Sequence, residues 1–385
     1  MSHVTIPHEV LLDEIIDCIS TQDLGAVALT SKEMMMYCDH RVKTIRSPKY
    51  KQGELPRRWP NVEKALNYPR ELLPDLIYMK NLKHLDIPII MQDDLELICM
   101  NLTTLTYLDT AMGAADISPL SLLVNLNELH MTNCIFVKSL NPLITLTNLE
   151  TLTAKGVSAV KNYKPLCAMP SLKYLTIDRP YYYTVKHIGM IKGLISLDLT
   201  GGELDSNMGH LSTLTNLQAL HLNAHMGTGG AKGLSKLTAL TELSFLPQLD
   251  TVNQAMALSS LTRLVKLTMN ACELLKWCLP TLSCLTELTL FVYGDFNVLN
   301  PVTTLVSGLQ SLHVHANDND ELTTTLDPLS ALTMLKSLTL DEYTEITNLE
   351  PLTSLTGLTR LCIKDCHALT NLEPLSALPN LEYYL

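Results

Sequence analysis

Leu214-Thr-Asn-Leu217-Gln-Ala-Leu220-His-Leu222 decides the reading of this chain. Leu237-Thr-Ala-Leu240-Thr-Glu-Leu243-Ser-Phe245 repeats it, and so does Leu355-Thr-Gly-Leu358-Thr-Arg-Leu361-Cys-Ile363. All three follow L-x-x-L-x-x-L-x-L. Its last three positions alternate, so two apolar side chains face one way and the residue between them faces the other. That is a short strand with one buried face.

Anchoring each copy on its second leucine gives Leu82, Leu105, Leu126, Leu149, Leu172, Leu194, Leu217, Leu240, Leu264, Leu285, Leu309, Leu335, Leu358 and Leu381. Successive anchors lie 21 to 26 residues apart. A degenerate copy precedes them, where Pro60-Asn-Val62-Glu-Lys-Ala65 echoes Pro379-Asn-Leu381-Glu-Tyr-Tyr384. A single unit of this length cannot bury its own leucines. Neighbouring units can bury them mutually by stacking, with their strands paired in parallel.

Many copies carry a second signature in Ser118-Pro-Leu120, Asn141-Pro-Leu143, Lys164-Pro-Leu166, Asp327-Pro-Leu329, Glu350-Pro-Leu352 and Glu373-Pro-Leu375. Proline suits the first turn of a helix, where its missing N–H has no partner in any case. Each unit is therefore expected to run strand, loop, then a short helical or 3₁₀ turn. Across residues 60–385 the sequence resembles the leucine-rich-repeat family. The 22–23-residue copies with P-L-x-x-L are most similar to the short repeats of internalin-type and phosphatase-regulator proteins. The resemblance implies an α/β fold: a right-handed solenoid of about 14–15 repeats of 21–26 residues, its parallel sheet on the concave face, where partners of the family sit.

Composition agrees with a binding protein of this class. Of 385 residues 46% are hydrophobic but only 5% aromatic and 17% charged. The net charge is −11, which disfavours nucleic acid, since phosphate binding needs basic surface. Nothing at the start reads as a basic and apolar export signal, and no run is long and apolar enough to span a bilayer. The ten cysteines are then expected to be reduced thiols, in the cytoplasm or nucleus. No P-loop, dinucleotide fingerprint, G-x-S-x-G or HExxH occurs, so neither enzyme activity nor a cofactor is expected.

Repeats of the resembled family often place Asn or Cys three residues beyond the last strand leucine, bonded to the loop backbone. Here that position holds Cys134, Cys272, Asn317 and Cys366, but also Val157, Pro180, Gly202, His225, Gln248, Tyr293 and Tyr343. Cys362, Cys366 and His367 lack a fourth metal ligand, and no metal site is expected there.

Residues 1–45 follow a different period. Leu11, Ile15, Cys18 and Ile19 share one helix face, widened by Leu12 and Ile16. Ser20 and Asp23 suit the start of a second short helix. Thr30-Ser-Lys-Glu33 is a capping box for a third, carrying Met35, Cys38, Val42 and Ile45. The order Ile6-Pro7-x-Glu9-Val10, Ile15-Ile16, Ile19-Ser20, Asp23-Leu24, Thr30-Ser31-Lys32 resembles the F-box, with Met34 standing where that family has tryptophan. The resemblance implies that Ile6, Pro7, Glu9, Val10, Leu11, Ile15, Ile16, Ile19, Leu24 and Met34 dock the adaptor subunit of a cullin–RING ubiquitin ligase. The alternative is a helical cap on the first repeat. Residues 46–78 read as a basic linker (Lys49, Lys51, Arg57, Arg58) and the degenerate capping repeat with Trp59; residues 79–385 form the solenoid, a monomer on its own.

Outward strand positions are the candidate partner surface. Tyr107, Tyr174, Arg179, Phe291, His313 and Arg360 stand there, with His84, His130, His221 and His315. Tyr181, Tyr182 and Tyr183 follow one strand directly. Buried aromatic and arginine side chains dominate binding hot spots, each worth about 2 kcal/mol or more. Phe291 and its neighbour Val292 are both expected outside the core. The partners implied are a protein substrate or regulator target and, through the F-box-like segment, the ligase adaptor.

Overall fold

The structure is a computed structural model describing residues 43–46, 61–179, 184–201, 207–223, 230–246, 249–293, 296–305, 308–316, 325–343 and 346–384. The expected helices of residues 1–42, Trp59, the linker lysines and arginines of 47–60, and Tyr181–Tyr183 lie outside these residues. The chain divides into two units, Met1–Ile177 and Asp178–Leu385.

In the first unit the strands are β1 (Thr44–Arg46), β2 (Lys64–Leu66), β3 (His84–Ile90), β4 (Tyr107–Met112), β5 (Glu128–Thr132), β6 (Thr151–Ala154) and β7 (Tyr174–Asp178). Each pairs in parallel with the next, in chain order. In the second they are β8 (Ser196–Thr200), β9 (Ala219–Leu222), β10 (Glu242–Phe245), β11 (Lys266–Asn270), β12 (Glu287–Val292), β13 (Ser311–Ala316), β14 (Ser337–Asp341), β15 (Arg360–Lys364) and β16 (Glu382–Tyr384), again parallel and sequential.

The fourteen anchors precede β3 to β16, one each. All are buried except Leu381, which is half-buried. Along the strands the pattern alternates as the sequence demands: Leu220 and Leu222 are buried while His221 between them is not. Register then stacks like on like, with Leu197, Leu220 and Leu243 in one buried row. Parallel pairing of this kind needs both strand edges in use and the leucine face covered, and stacking supplies both.

Behind the strands the proline signatures form 3₁₀ turns, at Ser118–Leu122, Asn141–Thr145 and Lys164–Ala168 in the first unit and Asp327–Ala331, Glu350–Ser354 and Glu373–Ala377 in the second. Their opening N–H groups are capped two residues upstream by Asp116, Ser139, Asn162, Thr325, Asn348 and Asn371 side chains. This Asx-type closure sets the chain direction into each turn. Other copies use α-helix instead, among them Gln92–Asn101, Thr184–Ile188, Gly230–Leu234 and Val252–Leu258.

Two expectations are corrected. Ile45 is not on a helix: Thr44–Arg46 is a strand paired with Lys64–Leu66, so among the described residues one more strand stands ahead of the repeats read from sequence. Three residues with one buried position show too little periodicity to separate a strand from a helix end. Val292 is not outside the core either. β12 extends to it, alternation turns it inward, and it is fully buried.

The loop position beyond each strand is filled in several ways. Cys134 and Cys366 give their Sγ hydrogens to the carbonyls of Thr132 and Lys364. Val157, Cys272 and Tyr343 bury there, and Tyr293 stays exposed. An irregular ladder thus leaves the strand register intact.

Candidate functional site

The strands present their alternate residues in columns on the sheet face. In the first unit one column reads Lys64, His84, Tyr107, Glu128, Thr151, Tyr174, and the next reads Asp86, Asp109, His130, Thr153, Thr176. Columns form because in-register parallel strands lie about 4.8 Å apart, within reach of planar side chains. The His84 and Tyr107 rings stack at 3.8 Å with 4° between their planes. Tyr107 meets His130 at 5.3 Å, tilted by 45°. His130 Nδ1 lies 2.9 Å from Thr153 Oγ1, and its Nε2 3.7 Å from Glu128.

Three carboxylates surround this aromatic row: Asp86, Asp109 and Glu128. Burial, then those carboxylates, push the Tyr107 hydroxyl up to about 12, so it stays a hydrogen-bond donor. Burial, with Lys64 beside it, pushes the His84 imidazole down, and the carboxylates only partly oppose this. The patch therefore offers flat rings for stacking inside a negative rim, a surface suited to a cationic or aromatic group from a partner.

In the second unit the columns read Ser196, Ala219, Glu242, Lys266, Glu287, Ser311, Ser337, Arg360, Glu382; then Asp198, His221, Ser244, Thr268, Thr289, His313, Thr339, Cys362, Tyr384; then Asn270, Phe291, His315, Asp341, Lys364. Phe291, half-buried, sets its ring edge-on to His315 at 5.3 Å. His315 meets His313 at 6.4 Å and sends Nδ1 to within 3.3 Å of Asp341 Oδ2.

The sequence-expected residues thus separate into groups. Phe291, His313 and His315 come together. Tyr107 gathers His84 and His130 but not Tyr174, which is exposed three strand steps away, about 14 Å. His221 is four strand steps from His313, about 19 Å, and stands 4.0 Å from Glu242. Arg179 is exposed, in the left-handed backbone region at φ 50°, its N–H given to the Thr200 carbonyl. Arg360 is exposed on β15. Cys362 is half-buried on the sheet face, as expected.

Sequence reasoning passed over Asp86, Asp109, Glu128, Asp341 and Glu342. A usable signal was present: His315 and Asp341 each stand six residues beyond their anchors, Leu309 and Leu335. Reading the copies from Leu82 to Leu358 at one offset from the anchor recovers the columns, and only the last copy, with Glu382 one residue beyond Leu381, departs from it.

No protein-family model matches the chain, and no curated protein matches it. Solved structures do. A leucine-rich-repeat protein of Leptospira interrogans aligns with TM-score 0.55 at 15% identity, covering 90% of this chain and 96% of that one. An internalin (InlF) of Listeria monocytogenes covers 99% and 98% at TM-score 0.44 and 19% identity. The functional domain of InlJ from the same organism, described as including a cysteine ladder, covers 88% and 66% at TM-score 0.42 and 17% identity.

Proposed function

We propose that this chain of leucine-rich-repeat fold is a protein-binding receptor whose strand-face columns hold the partner. The observation that carries the reading is the placement of its aromatic side chains. His84, Tyr107 and His130 form one row of touching rings on the sheet face of the first unit, and Phe291 touches His315 on that of the second, although an outward strand position in water has no need of them. Rings already packed against one another lose little entropy when a partner covers them, which favours affinity.

The finer reading is that the partner is a substrate. In that reading residues 6–34 dock the adaptor of a cullin–RING ligase, and the repeats present the captured protein for ubiquitin transfer. What supports it is the order of residues from Ile6-Pro7 through Thr30-Ser31-Lys32, placed ahead of the repeats. The competing reading is a scaffold or effector that grips a partner with no ligase attached.

Leu11→Asp with Ile15→Asp in the full-length chain separates them. Both substitutions put charge on the proposed docking face and leave the repeats alone. Under the ligase reading, wild-type protein co-purifies with a small adaptor and a cullin, and the double variant loses both while keeping the substrate. Identical recovery from both proteins would remove the ligase and leave the scaffold.

A further inference from the structure

We infer that His313, His315 and Asp341 form a binding site for one divalent first-row transition-metal ion on the sheet face of the second unit. The site follows from register. His313 and His315 are i and i+2 on β13, so both imidazoles leave the same face. Asp341 is the direct neighbour of His315 on β14. One donor atom from each of the three lies within 4.8 Å of the other two. Asp341 Oδ2 is the common vertex, 3.3 Å from His315 Nδ1 and 3.8 Å from His313 Nε2. An ion bound at about 2.0–2.2 Å needs donors about 3–3.4 Å apart. Small side-chain rotations close that difference.

Three further observations point to an ion rather than to a plain hydrogen-bonded cluster. First, His313 Nε2 is shielded from solvent and has no hydrogen-bond partner among the described residues. Asp341 Oδ2, at 3.8 Å, is beyond hydrogen-bond distance, and an ion between the two atoms would satisfy both. Second, Glu342 Oε2 lies 3.6 Å from His315 Nε2, on the far side of the ring. With an ion on Nδ1 the ring proton goes to Nε2, on the side where this carboxylate stands, the usual outer arrangement of metal-bound histidine. Third, the frame is fixed. Glu342 gives its backbone N–H to the Lys364 carbonyl, and Phe291 closes the other side of His315.

Two imidazoles and one carboxylate on one side of an ion leave its remaining positions open to water or to a partner's donor. This set suits Zn²⁺, Fe²⁺ or Co²⁺, whereas Mg²⁺ and Ca²⁺ prefer oxygen. Lys364 flanks Asp341 on the opposite strand and competes weakly for its charge. Its ammonium can turn to solvent, because Lys364 is exposed.

Co²⁺ titration of the full-length chain, with its thiols kept reduced, tests the assignment by visible d–d absorption and needs no partner protein. The site gives one saturating equivalent without a thiolate charge-transfer band. His313→Ala, His315→Ala and Asp341→Ala each abolish it, and Glu342→Gln weakens binding about 10- to 100-fold by loss of the outer carboxylate. His221→Ala and Cys362→Ser leave the titration unchanged. Circular dichroism of each of the six variants checks the fold. The proposal is overturned if wild-type protein shows no saturable band, if the three alanine variants bind as wild type does, or if Cys362→Ser removes the signal.

Discussion

Leu220→Ala puts the stacking account under direct strain. Leu220 is fully buried on β9, between Leu197 and Leu243 of the flanking strands, themselves buried. Fully burying a leucine side chain is worth roughly 1.5–3 kcal/mol. A cavity adds about 24 cal/mol for each Å³ that the surroundings fail to fill. Strands hydrogen-bonded on both edges collapse poorly, so the sum should fall near 3–4 kcal/mol, inside the roughly 2–5 kcal/mol range for such changes. With a urea slope of about 3 kcal/mol/M, the unfolding midpoint falls by about 1 M. The control is the next residue. His221→Ala removes a half-exposed ring 4.0 Å from Glu242 and should cost no more than about 0.5 kcal/mol. The assay is urea unfolding followed by far-ultraviolet circular dichroism. Equal midpoints for the two variants, or an unmoved midpoint for Leu220→Ala, would refute the alternation of faces.

Other consequences are sharper in sign than in size. Gly156→Ala should destabilise by about 1 kcal/mol or more in thermal melts, because the backbone there sits at φ 75° and a Cβ would press on the Cys134 amide at 3.1 Å. Burial pushes the Cys99, Cys134 and Cys278 thiols up to about 12, so at pH 8 a thiol reagent should label exposed Cys284 in the native protein and reach those three only after denaturation. Because these thiols ionise near 9 when unfolded, their contribution to stability is whole below pH 9 and is lost as pH rises toward 12. The His84 imidazole is pushed down by burial, so it gains its proton in the unfolded chain first. Stability from His84 is present above the ordinary histidine range and declines as pH falls below it. His84→Asn should flatten unfolding midpoints measured across pH 5–7, and an unchanged slope would contradict the placement.

The fold was legible because leucine burial is periodic. Leu82 through Leu381 recur at a spacing only stacked units explain, and the proline opening six of the turns marks where a helical N–H is dispensable. Legibility failed where burial left too short a trace. Ile45 is one buried residue in a three-residue strand, and Val292 prolongs a strand by one pair beyond the common pattern. Tyr343 shows a different limit: an aromatic ring can bury where the resembled family keeps Asn or Cys, and nothing local announces it.

The face was half legible. Phe291, His313 and His315 were read as outward from alternation alone. Their association with Asp341 depends on register across a 26-residue copy, the longest spacing between anchors, which hides the pairing from any fixed period. The carboxylates around Tyr107 were passed over for a related reason. Each Asp or Glu is unremarkable in its own repeat, and only adjacent strands make three of them a rim.

Paired substitutions on opposite sides of the repeats bear most directly on the claim that the strand face holds the partner. Tyr107→Ala with Phe291→Ala alters the sheet face; Met256→Ala with Trp277→Ala alters exposed residues on the helical side. Quantified against wild-type protein after affinity capture from cells, the partner should be lost with the first pair and retained with the second. Retention with the first and loss with the second would contradict the account.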